Sequence, residues 1–237
     1  MNKIKMFIKK SINLVLQKIG EKRRSRNLFW IILIILNDFI IKIRFTHSLQ
    51  SIFEPYHLGG YVAGGDSSSW YPELWDWIIK ELGIKSVIDV GCGEGHSTKY
   101  FKEKGCKVLG VEGSQVAIKN SPVKDLLIRH DYTKGSFSPD NEYDLVWSCE
   151  FVEHVEEKYV HNFLETFKAL KYVFMTHAPL GKERYYHHVN CQPKEYWIKK
   201  LSEIGFKFDN ELTQKARKKA LHGYFEKTGL VFKRESN

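Results

Sequence analysis

Residues 87–95 read VIDVGCGEG, an apolar run that carries one acid, Asp89, and then breaks into glycines at 91, 93 and 95. Continuous apolar character without polar alternation suits a strand buried on both faces of a parallel sheet. Glycines at alternate positions let the chain turn with positive φ and let its backbone approach a bound group more closely than a Cβ would permit. The segment therefore specifies a strand, a sharp turn and a nucleotide-type cradle together. A dinucleotide loop of the form G-x-G-x-x-G would need its third glycine at position 96, which is His96. The pattern here is D-x-G-x-G-x-G.

The remaining chain repeats the strand signal at intervals. KVLGVEGS ends its apolar run at Glu112, LLIR precedes His130 and Asp131, and two further runs, YDLVWSCE and YVFMTHAP, cover 143–150 and 172–179. Between them, Val160, Phe163, Leu164, Phe167 and Leu170 recur at helical spacing within 157–170, and Trp197, Ile198, Leu201 and Ile204 do so within 195–204. Such alternation predicts an α/β doubly wound sheet whose ligands sit at the carboxyl ends of the strands. FKFDNEL and YFEKTGLVFKR read as two closing strands with no strong helix between them.

Taken together, the glycine pattern, Glu112 and Asp131 make residues 71–234 resemble the class I S-adenosylmethionine-dependent methyltransferases. That resemblance implies a seven-stranded, mostly parallel Rossmann-like sheet with an antiparallel terminal hairpin, and S-adenosylmethionine as cofactor. It implies cofactor contacts at Asp89, Gly91, Cys92, Gly93, Gly95, Glu112, Gly113, Asp131, Tyr132 and Ser148. Glu112 would take the ribose diol, since a carboxylate accepts two hydrogen bonds at once, and Asp131 the adenine amino group.

CEFVEHVEE is the next most specific segment. A helix starting at Glu150 would put Glu150, Glu153 and His154 on one face, and two carboxylates with an imidazole can ligate Mg2+ or Mn2+. The E-x-x-E-H spacing resembles that of ubiquinone-pathway O-methyltransferases and of small-RNA 3′-terminal 2′-O-methyltransferases. The alternative is a metal-free site with the Glu capping the helix and the His facing the acceptor. His177, His187 and His188 follow the fifth strand, and His188 is the expected further ligand. His177, at a strand's carboxyl end, is the first choice as general base, because imidazole titrates near neutrality. Glu150 and His154 complete the expected catalytic group.

Charge divides the chain unevenly. Residues 1–26 hold nine Lys or Arg against one Glu, a net +8 out of the chain's +9, which leaves +1 for residues 27–237. A near-neutral catalytic region argues against a nucleic-acid acceptor. Within residues 1–50, Ile4, Phe7, Ile8, Ile12, Val15, Leu16 and Ile19 recur at helical spacing among lysines, and LFWIILIIL follows at 28–36 before Asn37 and Asp38. This predicts a basic amphipathic and apolar helical extension suited to an anionic membrane surface, reached through residues 1–45, with an apolar run that falls short of an uninterrupted span; the alternative is that these helices pack on the catalytic domain or on a second subunit. The enzyme is accordingly expected in the cytoplasm, peripheral to the cytoplasmic face of a membrane. Residues 51–70, rich in Gly and Ser, form a lid or linker, with a helix starting near Ser69 and Pro72 in its first turn. The methyltransferase domain is expected over 71–237. The four cysteines have neither metal nor C-x-x-C spacing and are expected reduced.

The expected reaction is in-line methyl transfer to a hydroxyl, which needs deprotonation by a metal or a histidine. Tyr185, Tyr186, Trp147 and Trp70 suggest a sugar, glycan or lipid-linked acceptor that stacks on aromatic faces. A quinone or phenol acceptor is the first alternative, an RNA terminal ribose the second, and a non-catalytic membrane-recruited adaptor the third.

Overall fold

In a computed structural model, the described residues are 55–235 except 59, 169, 170, 184 and 186. The basic and apolar extension read at 1–50 lies outside them. Among the described residues no helix is long and apolar enough to cross a membrane.

Helix α1 (Pro72–Glu81) leads into strand β1 (Ser86–Val90), followed by α2 (His96–Glu103), β2 (Lys107–Glu112), α3 (Gln115–Asn120) and β3 (Leu127–Arg129). Strand β4 (Leu145–Ser148), α4 (Val160–Thr166), β5 (Tyr172–Met175), α5 (Lys194–Ser202) and β6 (Phe206–Phe208) come next. Two helices, α6 (Asn210–Ala220) and α7 (Gly223–Thr228), precede β7 (Leu230–Arg234). The seven strands form one sheet in the order β3-β2-β1-β4-β5-β7-β6. Strands β1 to β5 pair in parallel, and β7 runs antiparallel to both β5 and β6. Chain order reverses between β1 and β4, so a crevice opens at their carboxyl ends.

Each central strand sends alternate side chains to opposite cores. Val87, Leu145 and Trp147 pack with Trp75, Phe101, Phe174 and Phe225 on one face; Ile88, Val90 and Val146 pack with Phe163, Phe167, Trp197 and Leu201 on the other. Covering both faces is what makes the strands read as continuous apolar runs.

Two expectations are corrected. The segment between β6 and β7 carries α6 and α7, although it reads as lacking a strong helix. Helix α6 buries Thr213, Ala216 and Ala220, a face of small side chains with little apolar signature, and it starts at Asp209, whose carboxylate accepts from the Leu212 N–H at 2.8 Å. The helix expected from Ser69 begins at Pro72, after a short 3-10 turn at Ser67–Ser69.

Tyr71 joins this helical pair to the start of the domain. It is fully buried, and its hydroxyl accepts from the backbone N–H groups of Tyr224 (2.9 Å) and Phe225 (3.0 Å) while donating to the Ser68 carbonyl. A tyrosine from before α1 thus satisfies the free N–H groups at the start of α7. Tyr71→Phe strands both donors, and urea unfolding should register a loss of about 2–3 kcal/mol. A loss within experimental error would mean that the cap contributes nothing.

Candidate active site

The turn after β1 is shaped by its glycines. Gly91 has φ 74°, and a Cβ there would lie 2.5 Å from the Phe151 ring. At Gly93, φ 56°, the N–H donates to Glu112 Oε2 at 2.8 Å, while the Ser114 N–H donates to Oε1 at 2.8 Å. Two backbone donors therefore hold the Glu112 carboxylate at the end of β2 against the loop. Gly95 caps α2 in the left-handed region and packs toward Val123 and Leu127.

Asp89 is buried and accepts from Ser97 Oγ (2.6 Å) and Thr98 Oγ1 (2.7 Å). Burial outweighs these bonds and pushes its carboxyl up to about 6. Because the folded state then binds the proton more tightly than the unfolded chain, this carboxyl favours folding below about pH 4 and loses that contribution as pH rises to about 6. Asp89→Asn removes the titration. The stability of the variant relative to the parent should therefore rise by roughly 3 kcal/mol between pH 4 and pH 7 in denaturant melts, and a constant difference would contradict it.

A cavity of about 590 Å³ runs from this turn along the carboxyl ends of the strands. Asp89, Gly91, Cys92, Gly93, Glu112, Gly113, Asp131, Tyr132, Glu150, His154 and His188 all line it, whereas Gly95, Ser148, Glu153 and His177 do not. Ser148 Oγ donates to the Val90 carbonyl at 3.0 Å, pinning β4 to β1. The Tyr132 hydroxyl turns into the core, where it donates to Thr166 Oγ1 at 2.9 Å. Burial pushes the Cys92 thiol up, which fits a small side chain filling a turn.

His57, Leu58 and most of residues 60–67 also line this cavity. Leu58 packs where a Gly113 Cβ would stand, Tyr61 sits beside Gly93, and the Gly64 N–H donates to Glu94 Oε2 at 3.0 Å. His57 Nε2 lies 3.2 Å from Asp131 Oδ2. Burial alone would raise the Asp131 carboxyl, but bonds from Thr133 and His57 outweigh it and hold it below the usual range. Sequence reasoning gives His57 no role. Its only signal is membership of the Gly-rich segment before β1, which touches all three strand ends.

After β4 the chain departs from the expected helix. Glu150 follows β4 with φ 53°, a left-handed conformation costly for a non-glycine residue. One side chain stabilises it: Thr176 Oγ1 accepts from the Glu150 N–H at 2.7 Å and donates to Glu150 Oε1 at 2.9 Å. Burial pushes Glu150 up to about 7. A 3-10 turn, Val152–His154, replaces a full helix and bears Glu153 and His154. Ligand atoms of Glu153, His154 and His188 lie within 4.8 Å of one another. The four-residue set expected from sequence is thereby reduced to three, with Glu150 outside.

The electrostatics of the trio are unusual. Glu153 is fully buried, and neither carboxylate oxygen has a hydrogen-bond partner among the described residues; the same holds for His154 Nδ1. Burial, with the Glu150 charge beside it, pushes Glu153 well above the usual carboxylate range. Burial and His188 push His154 down to about 4, so its imidazole is neutral at neutral pH.

His177 is removed from the expected catalytic group. Its Nδ1 pairs with the Thr228 carbonyl at 3.0 Å, and burial pushes it down to about 4. Strand β5 ends at Met175, and the next side chain, Thr176, turns to the Glu150 side; a one-residue step sends His177 elsewhere.

Residues 66–233 match the family model described as a methyltransferase domain. Tocopherol O-methyltransferase of Arabidopsis thaliana is 37% identical over 90 residues, covering 33% of this chain and 25% of the relative. Ubiquinone biosynthesis O-methyltransferase of Nitrosomonas europaea is 34% identical over 89 residues, covering 35% and 38%. The chain thus spans about a quarter to two-fifths of the length of these curated relatives. Among solved structures, magnesium protoporphyrin IX methyltransferase from Synechocystis PCC 6803 with bound SAH superposes with TM-score 0.51 at 15% identity, over 68% of this chain and 80% of that one. A TehB-like SAM-dependent methyltransferase from Corynebacterium glutamicum gives 0.50 at 17% identity, over 73% and 91%. With the doubly wound sheet, the glycine turn and a family match covering most of its length, the chain belongs to the class I SAM-dependent methyltransferases.

Proposed function

We propose that the enzyme transfers a methyl group to a hydroxyl of a quinol or other phenolic acceptor. The observation that carries this reading is that Glu150, His154 and His188 line the cleft, with the buried Glu153 carboxylate within ligand distance of both histidines. A hydroxyl is a poor nucleophile until its proton leaves, so O-methylation needs groups of this kind, whereas a better nucleophile needs little beyond alignment. The named relatives, a tocopherol and a ubiquinone-pathway O-methyltransferase, support a phenolic acceptor over the sugar expected from the aromatic residues. The aromatic argument also weakens in the fold: Trp147 is buried and stacks on Phe225 at 5.3 Å instead of offering a face to a sugar.

The residues present fit S-adenosylmethionine. When bound, it supplies a methyl group on a positively charged sulfur. Gly93 leaves room that a Cβ would fill, Glu112 presents a carboxylate for a diol, and Asp131 offers an acceptor oxygen. His57, Leu58 and Tyr61 supply part of the cleft's lining. Glu150, held by Thr176 and raised by burial, lines the cleft as the group able to accept the hydroxyl proton.

A divalent cation also fits. Buried carboxylate oxygens without partners and a neutral imidazole form a donor set, and Glu153, His154 and His188 would hold the ion. Bound there, the ion would supply positive charge that lowers the pKa of a neighbouring hydroxyl. One carboxylate with two imidazoles suits Mn2+ or another first-row ion better than Mg2+.

Excess S-adenosylhomocysteine should raise the thermal midpoint of the full chain by roughly 5–10 °C at one hundred times its Kd, since it stabilises only the folded state. Methyl transfer from labelled S-adenosylmethionine should then appear with hydroquinone or catechol acceptors and not with glycans. Turnover confined to glycans would overturn the phenolic reading.

A further inference from the structure

We infer that the mouth of the cleft is a docking face for an anionic lipid bilayer. Scattered exposed apolar side chains are ordinary on a protein surface, but a cluster around one opening is not. Eight large hydrophobic residues are exposed among the described residues. Four of them, Val62, Trp70, Tyr185 and Tyr224, line the cleft, and Leu180 and Val189 belong to the β5–α5 loop that also carries Tyr185. Leu180 is 66% exposed and Val62 53%, with no role in either core. Three of the four exposed residues that line the cleft are Trp or Tyr, whose amphipathic rings prefer the boundary between headgroups and acyl chains.

The rest of the chain says what covers this rim. Residues 1–26 carry a net +8 with apolar residues at helical spacing, and LFWIILIIL follows at 28–36. Such a sequence has the two components of interfacial binding, basic charge and apolar area. The chain reaches the described fold at Pro55, and His57 and Leu58 already line the cleft. The chain that follows the arm therefore enters the described fold beside residues that line this opening. Two linked contacts with one surface bind far more tightly than either alone. A rim facing the bilayer would let an apolar acceptor pass into the cleft without crossing water. The docking itself does not depend on which acceptor is methylated.

The test uses the full chain and vesicles made of equal parts phosphatidylcholine and phosphatidylglycerol. Flotation should recover the parent protein with these vesicles. The double variant Leu180→Ser, Val189→Ser should bind them at least about tenfold more weakly, because two apolar side chains leave the interface. Its thermal shift with S-adenosylhomocysteine should match the parent's, since neither residue lines the cleft. Brominated lipids should quench the tryptophan emission of the parent, and part of that quenching should vanish in Trp70→Phe. Vesicle binding and quenching left unchanged by the rim substitutions would mean that the basic arm alone meets the membrane, and would overturn the inference. A parent that ignores vesicles would overturn it as well, as would a parent that is dimeric without lipid and becomes monomeric in the double variant.

Discussion

Gly91→Ala should abolish cofactor binding. The new Cβ would stand 2.5 Å from the Phe151 ring, at a residue whose φ of 74° already disfavours any side chain. Strain of the backbone and overpacking against a partly buried ring each cost about 1–3 kcal/mol, and relief is available only by moving the turn or by pushing Phe151 out of place. Either displacement disturbs the Gly93 N–H that holds Glu112. Calorimetric titration with S-adenosylhomocysteine should show affinity reduced by at least about 100-fold, and urea melts a loss of roughly 3 kcal/mol. Gly105→Ala is the control, because its φ of 87° is comparable but nothing lies within 4 Å of the added atom. It should cost about 1 kcal/mol and leave binding intact. Equal binding by the Gly91 variant and the parent would remove the glycine turn from the cofactor site.

Glu153→Gln should separate stability from metal binding. In the ion-free protein, the parent keeps a buried carboxyl group without a hydrogen-bond partner, so replacing it with an uncharged amide of the same shape should be neutral or stabilising by about 1–2 kcal/mol. With Mn2+ the order should reverse: the parent gains thermal stability and the variant does not. Glu150→Gln should behave differently. Glu150 stands outside the trio and lines the cleft, so this variant should retain the response to Mn2+ and lose turnover with phenolic acceptors. A parent whose melting is indifferent to Mn2+, Zn2+ and chelator alike would leave Glu153 as a buried acid with no ion to hold.

The ease with which parts of this structure can be read from the chain follows the physics of each part. Strands β1, β2, β4 and β5 are legible because burial on both faces demands uninterrupted apolar residues, and the turn after β1 because its backbone angles demand glycine. Helix α6 escapes notice because Thr213, Ala216 and Ala220 bury as efficiently as larger residues at close packing distances without an apolar signature. The choice between Thr176 and His177 depends on the residue at which β5 ends, and a shift of one reverses the face. Glu150 is expected in a helix because spacing cannot reveal a left-handed residue. The pairing of His57 with Asp131 joins positions 74 apart in sequence, and no local pattern encodes it.

Strand order bears on how the molecule is made. The last strand in the chain, Leu230–Arg234, is inserted between β5 and β6. Until it emerges from the ribosome, β6 has no partner in the sheet, and Tyr172–Met175, a strand whose side chains are nearly all buried in the finished protein, is an open apolar edge. Such an edge recruits other strands, including those of neighbouring nascent chains. This half of the sheet therefore closes only once β7 has been made, and chaperone dependence should fall on the interval before that, with chains stalled before Leu230 forming aggregates through β5.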